Sequence, residues 1–466
     1  MIRPSFLYFL IWLLQIKIRT QGRSESSAFF KSFSMKLLIV FLPLLIVCSC
    51  SKKKSQITNV ADYSGYLNNK ERPGLVSIDR QLDHWSARLK KDSGDLVARS
   101  IMAGLYARRF SYSGDVTELR RATEWYKQVN LINKFSGSST YRSLATACIS
   151  QHQFRLAKSY LDSALALGDD KLRSLLLMSD VQLELGESGP AIQCLNRVQD
   201  QQSFEVMIRR AKIQDKVYGR LDKAIDILEQ AASKDEVKTN NYLFNWIYSN
   251  LGDMYGHAGR YKQAYNSYLS VLKNDPAYYH CLKGIAWLAF SHDHDAAGAK
   301  KILEFLISKQ PLPDYDLMMA AISKEEGNKK TEEEFIAKYQ SKLNSGLYGA
   351  MYNAYTCKLY LDAAPQPKKA LAIAEEEVRQ RPTALSYSLL STALLANGKK
   401  QEALQIARCY VEGRTSEPDA KYRLGILYSV LREKKKAEKY LKEAREGSYE
   451  LGPSIKKNID DALNSI

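Results

Sequence analysis

An alanine recurs along this chain at Ala122, Ala157, Ala191, Ala224, Ala264, Ala299, Ala370, Ala403 and Ala437. The steps between them are 35, 34, 33, 40, 35, 71, 33 and 34 residues. A fixed period of this length is the mark of stacked supersecondary units, none of which can bury its apolar face alone. The step of 71 spans two units and implies a degenerate copy around Tyr315–Lys342, while the step of 40 marks an insertion near Lys238-Thr239-Asn240-Asn241. Four residues after each alanine comes Tyr126, Leu161, Leu195, Leu228, Tyr268, Leu303, Ala374, Ala407 or Leu441. Residues four apart share one helix face, so the alanines lie on helices with an apolar stripe.

A second helix precedes each of these. In the fullest copy, Trp246 to Tyr278, the residues Tyr248, Leu251, Gly252, Tyr255, Ala264, Tyr268 and Pro276 mark two helices joined by His257-Ala258-Gly259-Arg260. Small residues recur on the first helices at Ala145, Ser179, Gly252, Ala286, Ser391 and Gly425, opposite the alanine series of the second. Lys212 and Lys358 break that pattern and predict two less well packed units. Glycine ends a helix cheaply, and Leu185-Gly186-Glu187, Tyr218-Gly219-Arg220 and Asn397-Gly398-Lys399 stand at the matching turns. Pro276 and Pro311 stop second helices.

This pattern resembles the tetratricopeptide-repeat family. The resemblance implies an all-α, right-handed superhelical solenoid of about ten helix pairs over residues 96–451. It implies an N-terminal capping helix over 75–95, with Trp85 as its core plug, and a C-terminal capping helix over 452–466. In such arrays each unit is expected to touch only its neighbours.

The N-terminus carries a different signal. Met35-Lys36 begins a short basic start, Leu37 to Val47 is apolar, and Val47-Cys48-Ser49-Cys50 follows. That order is an export signal, too short to span a bilayer as a mature helix. Its end resembles the lipobox of bacterial lipoproteins, which implies a signal peptide over 35–49, cleavage before Cys50 and lipid attachment there. Ser51 is compatible with sorting to the outer membrane in the Gram-negative cell envelope. Residues 50–74 read as the lipidated cysteine and a tether, and residues 1–34 as an over-extended start or an extra leader.

The chemistry expected is binding. No nucleophile elbow, phosphate loop, zinc helix or dinucleotide fingerprint occurs, so neither an enzyme nor a cofactor is expected. His292-Asp293-His294-Asp295 alternates histidines in the manner of a metal site, but it falls at an inter-helix turn where solvated polar residues are usual. No metal is therefore expected there. Cys148, Cys194, Cys281, Cys357 and Cys409 each fall in a different unit and read as free thiols.

In this repeat family the first helices line a concave groove. Counting from the Leu/Gly pairs, the resemblance places Arg142, Arg173, Arg209, Asn250, Asp253 and His257 in it, with Tyr355 and Tyr422 farther along. The set that grips a terminal carboxylate in some members is broken by Ile213 and Cys281. The formal net charge of +17 either reflects lysines and arginines on solvated faces or favours an acidic partner. The expected partner is a protein or peptide, with nucleic acid disfavoured by the export signal. A glycan-binding lipoprotein similar to the SusD-like class is the alternative, although the nearly unbroken register and few tryptophans speak against it.

Overall fold

The computed structural model describes residues 56–69 and 72–466. The segment read as an export signal, Cys50 and residues 1–34 lie outside them. Among the described residues there are helices and no strands. None of these helices is long and apolar enough to cross a membrane.

Ten antiparallel helix pairs follow one another. Hairpins 1 to 5 are Leu96–Ser113 with Val116–Ile132, Ser138–Ser150 with Phe154–Leu167, Lys171–Glu184 with Ser188–Asn196, Phe204–Lys216 with Leu221–Ala232, and Asn241–His257 with Tyr261–Asn274. Hairpins 6 to 10 are Tyr279–Trp287 with Ala296–Lys309, Pro313–Glu325 with Lys329–Asn344, Asn353–Lys358 with Pro367–Gln380, Ala384–Ala396 with Lys400–Tyr410, and Pro418–Val430 with Lys434–Glu446. The first helices of hairpins 6 and 8 each run on into a π-turn, Leu288–His292 and Leu359–Ala363. Short polar side chains open several helices by accepting orphan backbone N–H groups. Asp95 takes that of Ala98 at 2.9 Å, and Asn240 that of Tyr242 at 3.0 Å.

All nine alanines of the series are fully buried, at 0% exposure. The small site facing them receives the residue one turn later. A β-carbon at Gly252 would overlap the Tyr268 ring, and one at Gly425 would stand 2.6 Å from Leu441. Gly284 of hairpin 6 meets the other side of the same Tyr268 ring, so one tyrosine fills the joint between two hairpins. The degenerate hairpin 7 lacks the alanine and fills its core with Tyr315 and Tyr339 instead. The insertion after hairpin 4 is a short helix, Asp235–Thr239, held by buried Val237. Lys212 and Lys358 bridge to Glu184 and Asp419, at 3.0 and 3.1 Å, rather than packing in the small site.

Four expectations need correction. Trp85 is only half-buried on its capping helix Pro73–Lys91, whose one buried residue is Ile78. Residues 57–69 are no loose tether. Tyr63 is 1% exposed in the core of hairpins 5 and 6, and the backbone N–H groups of Ile57 and Thr58 donate to the Asp293 carboxylate at 3.0 and 2.8 Å. That carboxylate also accepts from His292 at 2.7 Å and has 0% exposure, so the His/Asp cluster is not simply a solvated turn. An extended segment with free N–H groups needs an acceptor when it is covered, and Asp293 supplies it.

The fourth correction concerns reach. Hairpins touch more than their neighbours, because the superhelix closes on itself after five or six of them. Arg120 of hairpin 1 donates to the carbonyl of Leu347 at 3.1 Å, 227 residues away. Arg155 of hairpin 2 donates to the carbonyl of Arg379 at 2.7 Å, 224 residues away. Gly186 of hairpin 3 lies on the carbonyl of Pro382, and Glu184 pairs with Arg381. Lys216 of hairpin 4 pairs with Glu417, and Gly256 of hairpin 5 faces Tyr449. These contacts form a seam along which one superhelical turn rests on the next.

Candidate functional site

The site is built on the first helices of hairpins 5, 6 and 7. On hairpin 5, Asp253 and His257 are one helical turn apart and share a face. On hairpin 6, His280, Lys283, Gly284 and Trp287 occupy the facing stripe at helical spacing. Together with Met318 of hairpin 7, Tyr268 and Tyr449, they line a cavity of about 150 Å³.

The charged groups here are held in pairs. Asp253 accepts the Tyr268 hydroxyl at 2.7 Å and faces His280 Nε2 at 2.8 Å. Burial alone would raise the Asp253 carboxyl, but His280 and the Tyr268 hydroxyl hold it below the usual carboxylate range. Lys283 Nζ donates to Asp314 at 2.6 Å, and Asp314 accepts the Tyr352 hydroxyl at 2.6 Å. Burial works against the Lys283 charge, yet Asp314 more than offsets it and the ammonium titrates above its ordinary value. Burial pushes the Tyr268 hydroxyl well up, so it stays a donor.

The cavity is closed from one side by the helix Ser448–Ser465 that follows hairpin 10. The Tyr449 carbonyl accepts from Trp287 Nε1 at 3.0 Å and from Ser291 Oγ at 2.8 Å. Its ring is 9% exposed and lies 4.9 Å from that of Tyr261.

Asp253 and His257 are therefore brought together, and Asn250 stands one turn back, donating to the Trp246 carbonyl at 2.6 Å. Tyr355 is exposed and packs its ring 5.9 Å from Tyr352, at the edge of the Lys283–Asp314 pair. The other four do not join them. Arg142 is 9% exposed and donates to Ser138, the Asp169 carbonyl and Ser174. Arg209 donates to Asp180 at 2.7 Å and to the carbonyls of Leu176 and Glu205. Both bind one hairpin to another and have little left for a ligand. Arg173 is exposed and paired only with Asp170 at 3.4 Å. Tyr422 is buried among Leu441, Ala444 and Ile459 beneath the C-terminal cap. Of the cysteines, Cys148, Cys194, Cys281 and Cys357 are buried free thiols and Cys409 is exposed.

Sequence reasoning missed His280, Lys283, Trp287 and Tyr449. The first three show the helical spacing that would have revealed them. Tyr449 reaches Trp287 across 162 residues and has no local signal.

A family model described as tetratricopeptide repeat matches residues 247–278, which contain Asp253, His257 and Tyr268. No curated protein matches the chain. Among solved structures, the human IFIT1 dimer with m7Gppp-AAAA is 14% identical at a TM-score of 0.41, covering 83% of this chain and 92% of that one. PilW, a type IV pilus biogenesis factor, is 17% identical at 0.36, covering 44% and 92%. A tetratricopeptide repeat protein from Parabacteroides merdae is 18% identical at 0.32, covering 56% and 98%. Likenesses at this level carry no argument about function. Residues 247–278 are a tetratricopeptide repeat, and the chain is an all-α solenoid of such helical hairpins.

Proposed function

We propose that this chain is a non-catalytic scaffold of the cell envelope, anchored through a lipid on Cys50, which binds a protein or peptide segment on the inner face of hairpins 5 to 7. One observation carries the binding part. The inner wall opens into a cavity whose ionisable groups are already tied into the pairs Asp253–His280 and Lys283–Asp314. Such a wall offers fixed dipoles, aromatic surface and shape, which suits recognition. The anchor part rests on the lipobox-like Val47-Cys48-Ser49-Cys50 ending an apolar run, and Ser51 favours the outer membrane. Several acyl chains on one residue hold a chain stably to a bilayer.

Two experiments test this reading. A photo-crosslinking amino acid placed at His257 in cells should capture a discrete partner band, and the same residue placed at exposed Lys223 on a second helix should not. Equal capture from both positions would remove the inner face from consideration. For the anchor, Cys50→Ala should abolish incorporation of labelled palmitate and leave an uncleaved or mislocalised chain. Undiminished labelling of the variant would end the lipid assignment.

A further inference from the structure

The inner face of hairpins 5 to 7 is not empty in the isolated chain. The helix Ser448–Ser465 is two pieces joined at Gly452, whose backbone leaves the helical region at φ 81°, with Pro453 next. The piece after the kink is a cap. Ile459 is fully buried against Tyr422, Leu441 and Ala444 of hairpin 10. Residues 447–454 straddle the kink: Leu451 packs with the hairpin 10 cluster, while other residues of the segment reach the first helices of hairpins 5, 6 and 7. The Tyr449 ring lies on Gly256, where a β-carbon would come within 2.9 Å of it. The Tyr449 carbonyl takes the two side-chain donors of Trp287 and Ser291. Glu450 faces His257 Nδ1 at 3.8 Å. Gly452 lies against the Trp287 ring, where a β-carbon would stand 3.1 Å away, and Ser454 donates to Glu325.

This is the contact set of a bound peptide. A main-chain carbonyl is read by fixed donors, an aromatic side chain fills a slot floored by glycine, and an acidic side chain faces an imidazole. The cavity beside Tyr449 leaves further room that the chain's own segment does not fill.

From this we infer that residues 447–454 are a built-in occupant of the inner face, and that the external partner is a protein segment carrying an aromatic residue followed directly by an acidic one, which displaces it. The inference deepens the proposed binding role and rests on it. It adds two things: the chemistry of the partner, and self-competition that lowers apparent affinity by the fraction of time the chain's own segment is docked.

The test uses the full chain and a fluorescent synthetic peptide spanning residues 446–456, titrated by anisotropy. The double variant Tyr449→Ala with Glu450→Ala should bind the peptide at least about tenfold more tightly than the unaltered chain, as expected when self-occupancy is nine-tenths or more. A peptide with alanine in place of its tyrosine should not bind. Adding Gly256→Leu to the double variant fills the slot and should abolish binding. Glu450→Gln alone, which removes one charge and little packing, should raise peptide affinity in the same direction, and it serves where the double variant loses helix content by circular dichroism. Equal affinity for altered and unaltered chains overturns the proposal. So does the absence of binding at millimolar peptide, or dimerisation of the unaltered chain by exchange of this segment. The titration involves no cellular partner, so its failure is a separate result from failure of cross-linking at His257.

Discussion

Replacing Arg423 with methionine is expected to cost about 3–5 kcal/mol of stability, because it takes a buried cation from Asp362 and from buried Asp419, which is left with Lys358 alone. The guanidinium is 2% exposed and donates to Asp362 at 2.9 Å and to Asp419 at 3.2 Å. Burial works against its charge, and the two carboxylates more than offset that. Burial would likewise raise Asp419, but Arg423 and Lys358 hold it down at about 2. The loss should appear as a lower denaturant midpoint. Adding Asp419→Asn should recover part of it, since one of the stranded charges is then removed. A cost below about 1 kcal/mol would mean that water reaches the cluster as it does an exposed pair.

Acid should strike hardest at the seam. Glu184 lies between Lys212, at 3.0 Å, and Arg381 of the neighbouring superhelical turn, at 2.5 Å. Burial would raise this carboxyl, yet the two cations outweigh it and hold it at about 2. Its value in the unfolded chain is about 4.3. Because the folded value is the lower one, the stabilisation is complete above the unfolded value and is lost as pH falls towards 2. At neutral pH, Glu184→Gln should cost on the order of 3 kcal/mol. The difference between the two proteins should shrink from pH 5 to pH 2, as measured by denaturant unfolding at each pH. A gap that stays constant over that range would show that the charge of Glu184 is not what holds the seam.

What was legible in the sequence was local. Ala264 and its eight counterparts recur because two helices pack closely only around a small side chain, and that requirement repeats with the hairpin. The groove assignment put Asp253 and His257 on one helix face, and both line the same cavity. It failed for Arg142 and Arg209 because a face does not reveal what the next hairpin offers. Here it offers Asp170 and Asp180. A signal for this was present. Opposite charges on adjacent hairpins stand 29 residues apart in Arg209–Asp180, 28 in Lys212–Glu184 and 31 in Lys283–Asp314. A search for cations with an acid one repeat away would have marked those arginines as internal. Tyr449, Glu417 and Arg381 are another matter. Their partners are set by the pitch of the superhelix, which sums small rotations over many hairpins and leaves no pattern at helix spacing.

The seam has a consequence for how such a chain can change. Repeat arrays ordinarily lengthen or shorten by duplication or loss of whole units, since each unit needs only a like neighbour. Here one more unit between Gly256 and Arg381 would carry the Arg381 guanidinium away from Glu184, Glu417 away from Lys216, and Tyr449 away from Gly256. Every later contact would shift out of step together. The number of hairpins is thereby locked, and variation is confined to places that leave the count untouched, such as the short helix Asp235–Thr239 inserted between hairpins 4 and 5.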